Sequence, residues 1–90
     1  MRCQEKIPGG KLVCIEVTAS GDKVRKLKIT GDFFLHPEDA IEKLEGALSG
    51  SPLSLGEADA AARFASALGE AVLVGVTPRD LARLFRKAVE

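Results

Sequence analysis

Residues 11–30, KLVCIEVTASGDKVRKLKIT, constrain the fold more than any other stretch. In residues 11–19, Val13, Ile15 and Val17 fall on one side, and Leu12, Cys14, Glu16 and Thr18 on the other. Period-two alternation rich in β-branched residues is the mark of a half-buried strand. Ser20-Gly21-Asp22 then supplies a tight turn, because glycine reaches the positive φ that hairpin turns need. Residues 23–30 return as a second strand, with Arg25, Leu27 and Ile29 on one face and Val24, Lys26 and Lys28 on the other. The pair forms an antiparallel hairpin whose core side carries Val13, Ile15, Val17, Leu27 and Ile29.

Beyond the hairpin the period changes. Gly31-Asp32 marks a turn or bulge, and the short apolar residues 33–35 are enough for a third strand. Pro37 suits the first position of a helix, where its missing N–H costs nothing. Glu38 and Asp39 in the first turn complement the helix dipole. Ile41, Leu44, Ala47 and Leu48 follow helical spacing. Ser54 and Glu57 have capping-box spacing ahead of an alanine-rich helix with Ala61, Phe64, Ala65 and Leu68 as its stripe and Gly69 at its end. Residues 71–76, AVLVGV, form a brief strand or a buried connector. Thr77-Pro78-Arg79-Asp80 opens a last helix with a cap, a proline in the first turn and an acid three residues after the cap. Leu81, Leu84, Phe85 and Ala88 face inward from it. Strands first and helices afterwards predict an α+β domain over residues 1–90: a three-stranded antiparallel sheet with helices packed on one face.

Composition narrows the function classes. Thirteen basic residues balance thirteen acidic ones, so no net charge draws the chain to nucleic acid or an anionic membrane. Apolar content of 46% fits a folded soluble domain. No apolar run approaches the about 20 residues that span a bilayer, and the first ten residues lack a signal-peptide core, so a cytoplasmic chain is expected. Cys3 and Cys14, with His36 as the sole histidine, do not make up a zinc ligand set. His36 precedes Pro37 and reads as a capping or surface residue. Glu38, Asp39, Glu42 and Glu45 read as a solvated helix face. The basic run Lys23, Arg25, Lys26 and Lys28 is split between two strand faces and has no interleaved aromatic. It reads as edge-strand charge rather than as a base-stacking platform. No catalytic residue is assigned.

Lys6-Ile7-Pro8-Gly9-Gly10-Lys11 stands apart. A glycine pair permits close backbone approach to an anion or another chain, yet a strand follows rather than the helix of a phosphate-binding loop. Together with ITGDFFLHPEDAIEKLE and the late VGVTPRDLARLF, this KIPGGKL block resembles the C-terminal accessory domain of lipoate–protein ligases, over nearly the whole chain. In that family a large domain carries the lipoyl-adenylate site, and some archaea and bacteria encode the small domain as a separate subunit. A 90-residue chain with its own Met1 looks like that separate subunit.

The resemblance implies a non-catalytic partner of a large catalytic subunit. In the heterodimer, lipoate is adenylated and passed to a lysine of an acceptor lipoyl domain. ATP, Mg and lipoate would be used through the large subunit, with no cofactor, nucleic acid or membrane bound by this chain alone. It further implies that Lys6, Pro8, Gly9, Gly10 and Lys11 face the adenylate end of the large subunit, with Gly31, Asp32 and Phe33 as a second contact loop. Gly31-Asp32 as a plain turn, and Phe33 with Phe34 as a core pair split between the two faces of a strand, remain equal alternatives. The layout is also similar to iron–sulfur scaffold proteins. Cluster assembly or sulfur transfer on Cys3 and Cys14, and nucleic-acid binding along residues 23–28, are the competing functions.

Overall fold

The computed structural model describes residues 1–9 and 11–90. Three strands, β1 (Arg2–Ile7), β2 (Lys11–Ser20) and β3 (Lys23–Gly31), form an antiparallel sheet in the order β1-β2-β3. A second sheet of two short strands pairs β4 (Phe34–His36) with β5 (Val72–Val74). Three helices complete the chain: α1 (Ala40–Gly46), α2 (Glu57–Leu68) and α3 (Pro78–Val89). The expected α+β class and the three-stranded sheet are both present, but the third strand is β1, not residues 33–35. Those residues overlap β4 and belong to the small sheet.

Register sets the faces of the main sheet. Ile15 lies opposite Cys3 on one side and Ile29 on the other, while Glu16 lies between Arg2 and Lys28. Residues directly opposite share a face, so Val13, Ile15, Val17, Leu27 and Ile29 all point to the helices and all are buried. Val24 is buried as well, against the simple alternation. The register shifts after Thr18, which pairs with Lys26, whereas Ala19 pairs with Val24. Arg25 is the extra residue of a β-bulge, which turns Val24 onto the core side.

The helices cover one face. α3 packs on β1 and β2, α1 packs on β3, and α2 packs on the other two helices. Phe64 and Phe85 sit wholly buried between them with Leu44, Leu48, Leu81 and Leu84. The Thr77 box forms as expected: Asp80 N–H donates to the Thr77 hydroxyl, and Thr77 N–H donates to the Asp80 carboxylate. Two expected helix starts differ. Pro37 precedes a run of single turns, and α1 begins only at Ala40. Gly56, not Ser54, caps α2, without a side-chain bond. Ala60 rather than Ala65 faces the core in α2. No helix among the described residues is long and apolar enough to cross a membrane.

The edge formed by β3 is capped at Ile29 and at Val24. Ile29 N–H donates to the Glu45 carboxylate at 2.9 Å, so Glu45 is not part of a merely solvated face. Val24 N–H donates to Ser51 C=O, and Gly50 N–H to Val24 C=O, both at 2.8 Å. Ser51, itself buried, accepts from Arg63. Arg86 on α3 then fixes the following loop by donating to the carbonyls of Leu53 and Leu55.

Candidate functional site

Pro8 and Gly9 belong to a hairpin connection. β1 ends at Ile7, which pairs with Lys11, so Pro8 and Gly9 lie in the connection between β1 and β2. Gly9 takes φ +102, open to glycine and strained for other residues. Gly10 lies outside the described residues. Lys6 faces Leu12 across the strands, on the side away from the helices.

Gly31 reaches the same end of the molecule. It pairs with Val13 at φ +140, and a Cβ there would sit 2.8 Å from Val13 Cα. Glycine is therefore required by the close approach of two backbones. Asp32 N–H donates to Leu12 C=O at 2.8 Å, tying this loop to the start of β2. Phe33 is half-buried against the core, whereas Phe34 is 58% exposed. The two phenylalanines do split between faces, but only Phe33 packs against the core, and Phe34 faces solvent.

Gly75 is the third part, at φ +99. A Cβ on it would lie 3.4 Å from Asp32 O, 3.5 Å from Phe33 Cα and 3.7 Å from Lys11 Cγ. Lys11, Asp32, Phe33, Phe34, Val74 and Gly75 together line an open groove of about 350 Å³. The structure therefore joins Lys11 to Asp32 and Phe33, as the sequence suggests, and adds the turn after β5. Lys6 stands apart, on the outer face of the main sheet.

Beside this groove lies an apolar face. In the small sheet Phe34 pairs with Val74 and His36 with Val72. Their side chains point outward while Leu35 and Leu73 point in. Phe34, Val72 and Val74 are each more than half exposed. The Phe34 and His36 rings stack with centroids 6.3 Å apart and planes 8° apart. Adjacent exposed apolar side chains on one face of a sheet mark a surface suited to a partner. Sequence reasoning reads His36 as a capping or surface residue and residues 71–76 as a brief strand or buried connector, and gives none of Val72, Val74 and His36 a contact role. The available signal was that a two-stranded sheet can bury only one of the three apolar residues in Val72–Val74.

The electrostatics near the groove are modest. Burial pushes the Asp80 carboxyl up, but the bonds from Thr77 and Arg83 outweigh it and hold Asp80 below its ordinary range. Lys11 and Asp32 supply one charge of each sign, too few to cradle a nucleotide's phosphates. On the opposite side of the main sheet, Lys26 and Lys28 carry no aromatic neighbour, since all four phenylalanines lie outside β1, β2 and β3. Cys3 and Cys14 lie on opposite faces of the sheet, as Cys3 pairs with Ile15 and Gln4 with Cys14. They cannot ligate one ion together or close a disulfide. Burial raises the Cys3 thiol pKa, and the nearby Glu5 charge adds to it, so Cys3 stays protonated.

No family model matches the chain. A curated relative, Lipoate-protein ligase A subunit 2 of Thermoplasma acidophilum, is 38% identical over 42 residues. That stretch is 47% of this chain and 45% of the relative, so the match spans less than half of the relative's length. A solved structure from an archaeal lipoylation system, with a bi-partite lipoate protein ligase and its E2 lipoyl domain from the same organism, contains a chain of the same fold. The two superpose with a TM-score of 0.68 over 96% of this chain and 98% of that one, at 25% identity. This chain is similar to a lipoate–protein ligase subunit. The family suggested by KIPGGKL and ITGDFF is the one that both comparisons return. The likeness extends across the main sheet, the small sheet and all three helices, because the superposition covers nearly the whole of both chains.

Proposed function

We propose that this chain is the accessory subunit of a bipartite lipoate–protein ligase, forming a heterodimer with a separate large catalytic subunit in the cytoplasm. The observation that carries this reading is the superposition on a chain from a bi-partite lipoate protein ligase over almost its full length. The large subunit supplies the chemistry, which is ATP-dependent adenylation of lipoate and transfer to an acceptor lysine. The small chain performs no reaction alone. ATP, Mg and lipoate are handled by its partner.

The groove end is the docking surface. Phe34, Val72 and Val74 give an apolar centre. Lys11, Asp32 and Phe33, with Pro8 and Gly9 of the adjoining turn and Gly31 beneath it, form the contact rim toward the adenylate site. Lys6 serves only at the margin of this surface. Burying three exposed apolar side chains provides a driving force of about 25 cal/mol per Å² covered. The fixed backbone of Gly31 and Gly75 keeps the rim rigid, so little conformational freedom is lost on binding.

The test is reconstitution with the large subunit of a bipartite ligase and a lipoyl acceptor domain. Lipoate-dependent pyrophosphate release and acceptor modification are expected only when both subunits are present. An equal rate from the large subunit alone, or turnover by this chain alone, overturns the reading. The double variant Phe34→Ser with Val74→Ser should keep the fold and raise the concentration of this chain needed for half-maximal activity.

A further inference from the structure

We infer that the free edge of β1 is a strand-docking site, which takes an extended acidic segment of another polypeptide as a fourth strand of the main sheet. Met1 and Val17 exchange both backbone hydrogen bonds, at 3.1 and 2.7 Å. Antiparallel ladders alternate bonded and non-bonded pairs. Cys3, Glu5 and Ile7 therefore bond toward β2, and the N–H and C=O groups of Arg2, Gln4 and Lys6 point away from it. No backbone partner from outside the sheet meets those groups among the described residues. The opposite edge, by contrast, is capped at Ile29 by Glu45 and at Val24 by Gly50 and Ser51. An open edge with regularly spaced donors and acceptors is a template for an added strand.

Charge selects the occupant. The outer face next to the edge carries Arg2 and Lys6, with Lys26 and Lys28 further in and Glu16 as its carboxylate. Behind the edge, Arg83 and Lys87 reach from α3 to Glu5 at 2.9 and 2.6 Å, and the Lys87 side chain is still 51% exposed. On the inner side these cations are balanced by Glu5 and Asp80, so it is Arg2 and Lys6 on the outer side that favour Asp or Glu side chains in an added strand. A second copy fits poorly. A two-fold pairing centred on Gln4 sets Arg2 against Lys6 twice. Single-stranded nucleic acid would find no aromatic side chain on β1, β2 or β3 to stack on.

The experiment uses the full chain, labelled for amide NMR, and an eight-residue peptide alternating glutamate with valine and blocked at both ends. Saturable shifts centred on the amides of Arg2, Gln4 and Lys6 are expected. A lysine–valine peptide should bind at least tenfold more weakly. Methylating one alternate set of the peptide's backbone nitrogens should weaken binding about tenfold, the loss of one or two hydrogen bonds, while methylating the other set leaves it unchanged. Gln4→Pro removes an outward N–H without breaking the ladder to β2 and should abolish the shifts. If that variant fails to fold, the methylated peptides decide. Equal binding of the lysine peptide, or indifference to methylation at both sets, overturns the proposal. So does a concentration-dependent dimer through β1, or a response to a ten-nucleotide single strand in place of the acidic peptide.

Discussion

The two sheets of this molecule follow one plan and differ in what they show to water. Each packs one face inward. The main sheet buries Val13, Ile15, Val17, Leu27 and Ile29 and turns Arg2, Gln4, Glu16, Lys26 and Lys28 outward. The small sheet buries Leu35 and half-buries Leu73, yet turns Phe34, Val72 and Val74 outward. A sheet adapted to solvent on its free face alternates apolar and polar residues. The main sheet does so and the small sheet does not. The difference teaches where a partner belongs: the outer face of β4 and β5 has the composition of a buried surface.

The largest effects come from the main sheet. Gly31→Val forces a side chain into the backbone of Leu12 and Val13 at a φ of +140. It should cost about 3 kcal/mol or more in urea unfolding. An unchanged midpoint would mean that β3 approaches β2 at Gly31 less closely than described. Ile15→Ala, at a fully buried site of the main sheet, should cost about 3 kcal/mol. Leu73→Ala, at the half-buried inner side of the small sheet, should cost about half that. Equal losses would erase the distinction between a deep and a shallow sheet.

Phe34→Ser with Val74→Ser inverts the pattern. Thermal stability should change by about 0.5 kcal/mol or less, whereas binding to the large subunit should weaken about thirtyfold, as loss of central apolar anchors does. Calorimetric titration of the variant against the large subunit reads both. Retained affinity would move the interface elsewhere.

The smallest effect concerns Glu5, on the inward side of β1. Its carboxyl is held below the ordinary range, chiefly by the hydrogen bond from Lys87, with burial opposing and Arg83 adding to the lowering. Because the folded pKa lies below the unfolded one, the unfolded chain takes up the proton first as pH falls. The stabilisation is complete above the usual carboxylate range and fades as pH drops through it toward the folded value. Glu5→Gln should cost about 0.5–1 kcal/mol at neutral pH and flatten the acid limb of a stability–pH curve. An acid limb unchanged by the substitution would mean the Glu5 cluster is not held in the folded state.

Much of this was readable in the residues. The β2–β3 hairpin announces itself by alternation, and the Thr77 box and the Gly69 stop need only local chemistry. β1 was hidden for a physical reason. Its inward positions are Cys3, Glu5 and Ile7, and a glutamate on a core face argues against a strand. Only Arg83 and Lys87, 78 and 82 positions further on, make Glu5 acceptable there. The bulge at Arg25 likewise depends on pairing that period-two counting does not contain. Of the candidate contacts, Lys11, Asp32 and Phe33 converge, but the joining of Phe34–His36 to Val72–Val74 is a long-range event that neither segment signals alone.

The carboxylate of Glu45 on the outer rim of β3 has a consequence for assembly. A ribbon exposed on both sides can recruit copy after copy and polymerise into a filament. With Ile29 and Val24 capped on that side, copies of this chain can meet edge to edge only through β1. A pair joined there has no second β1 to offer a third copy, so such growth stops at two.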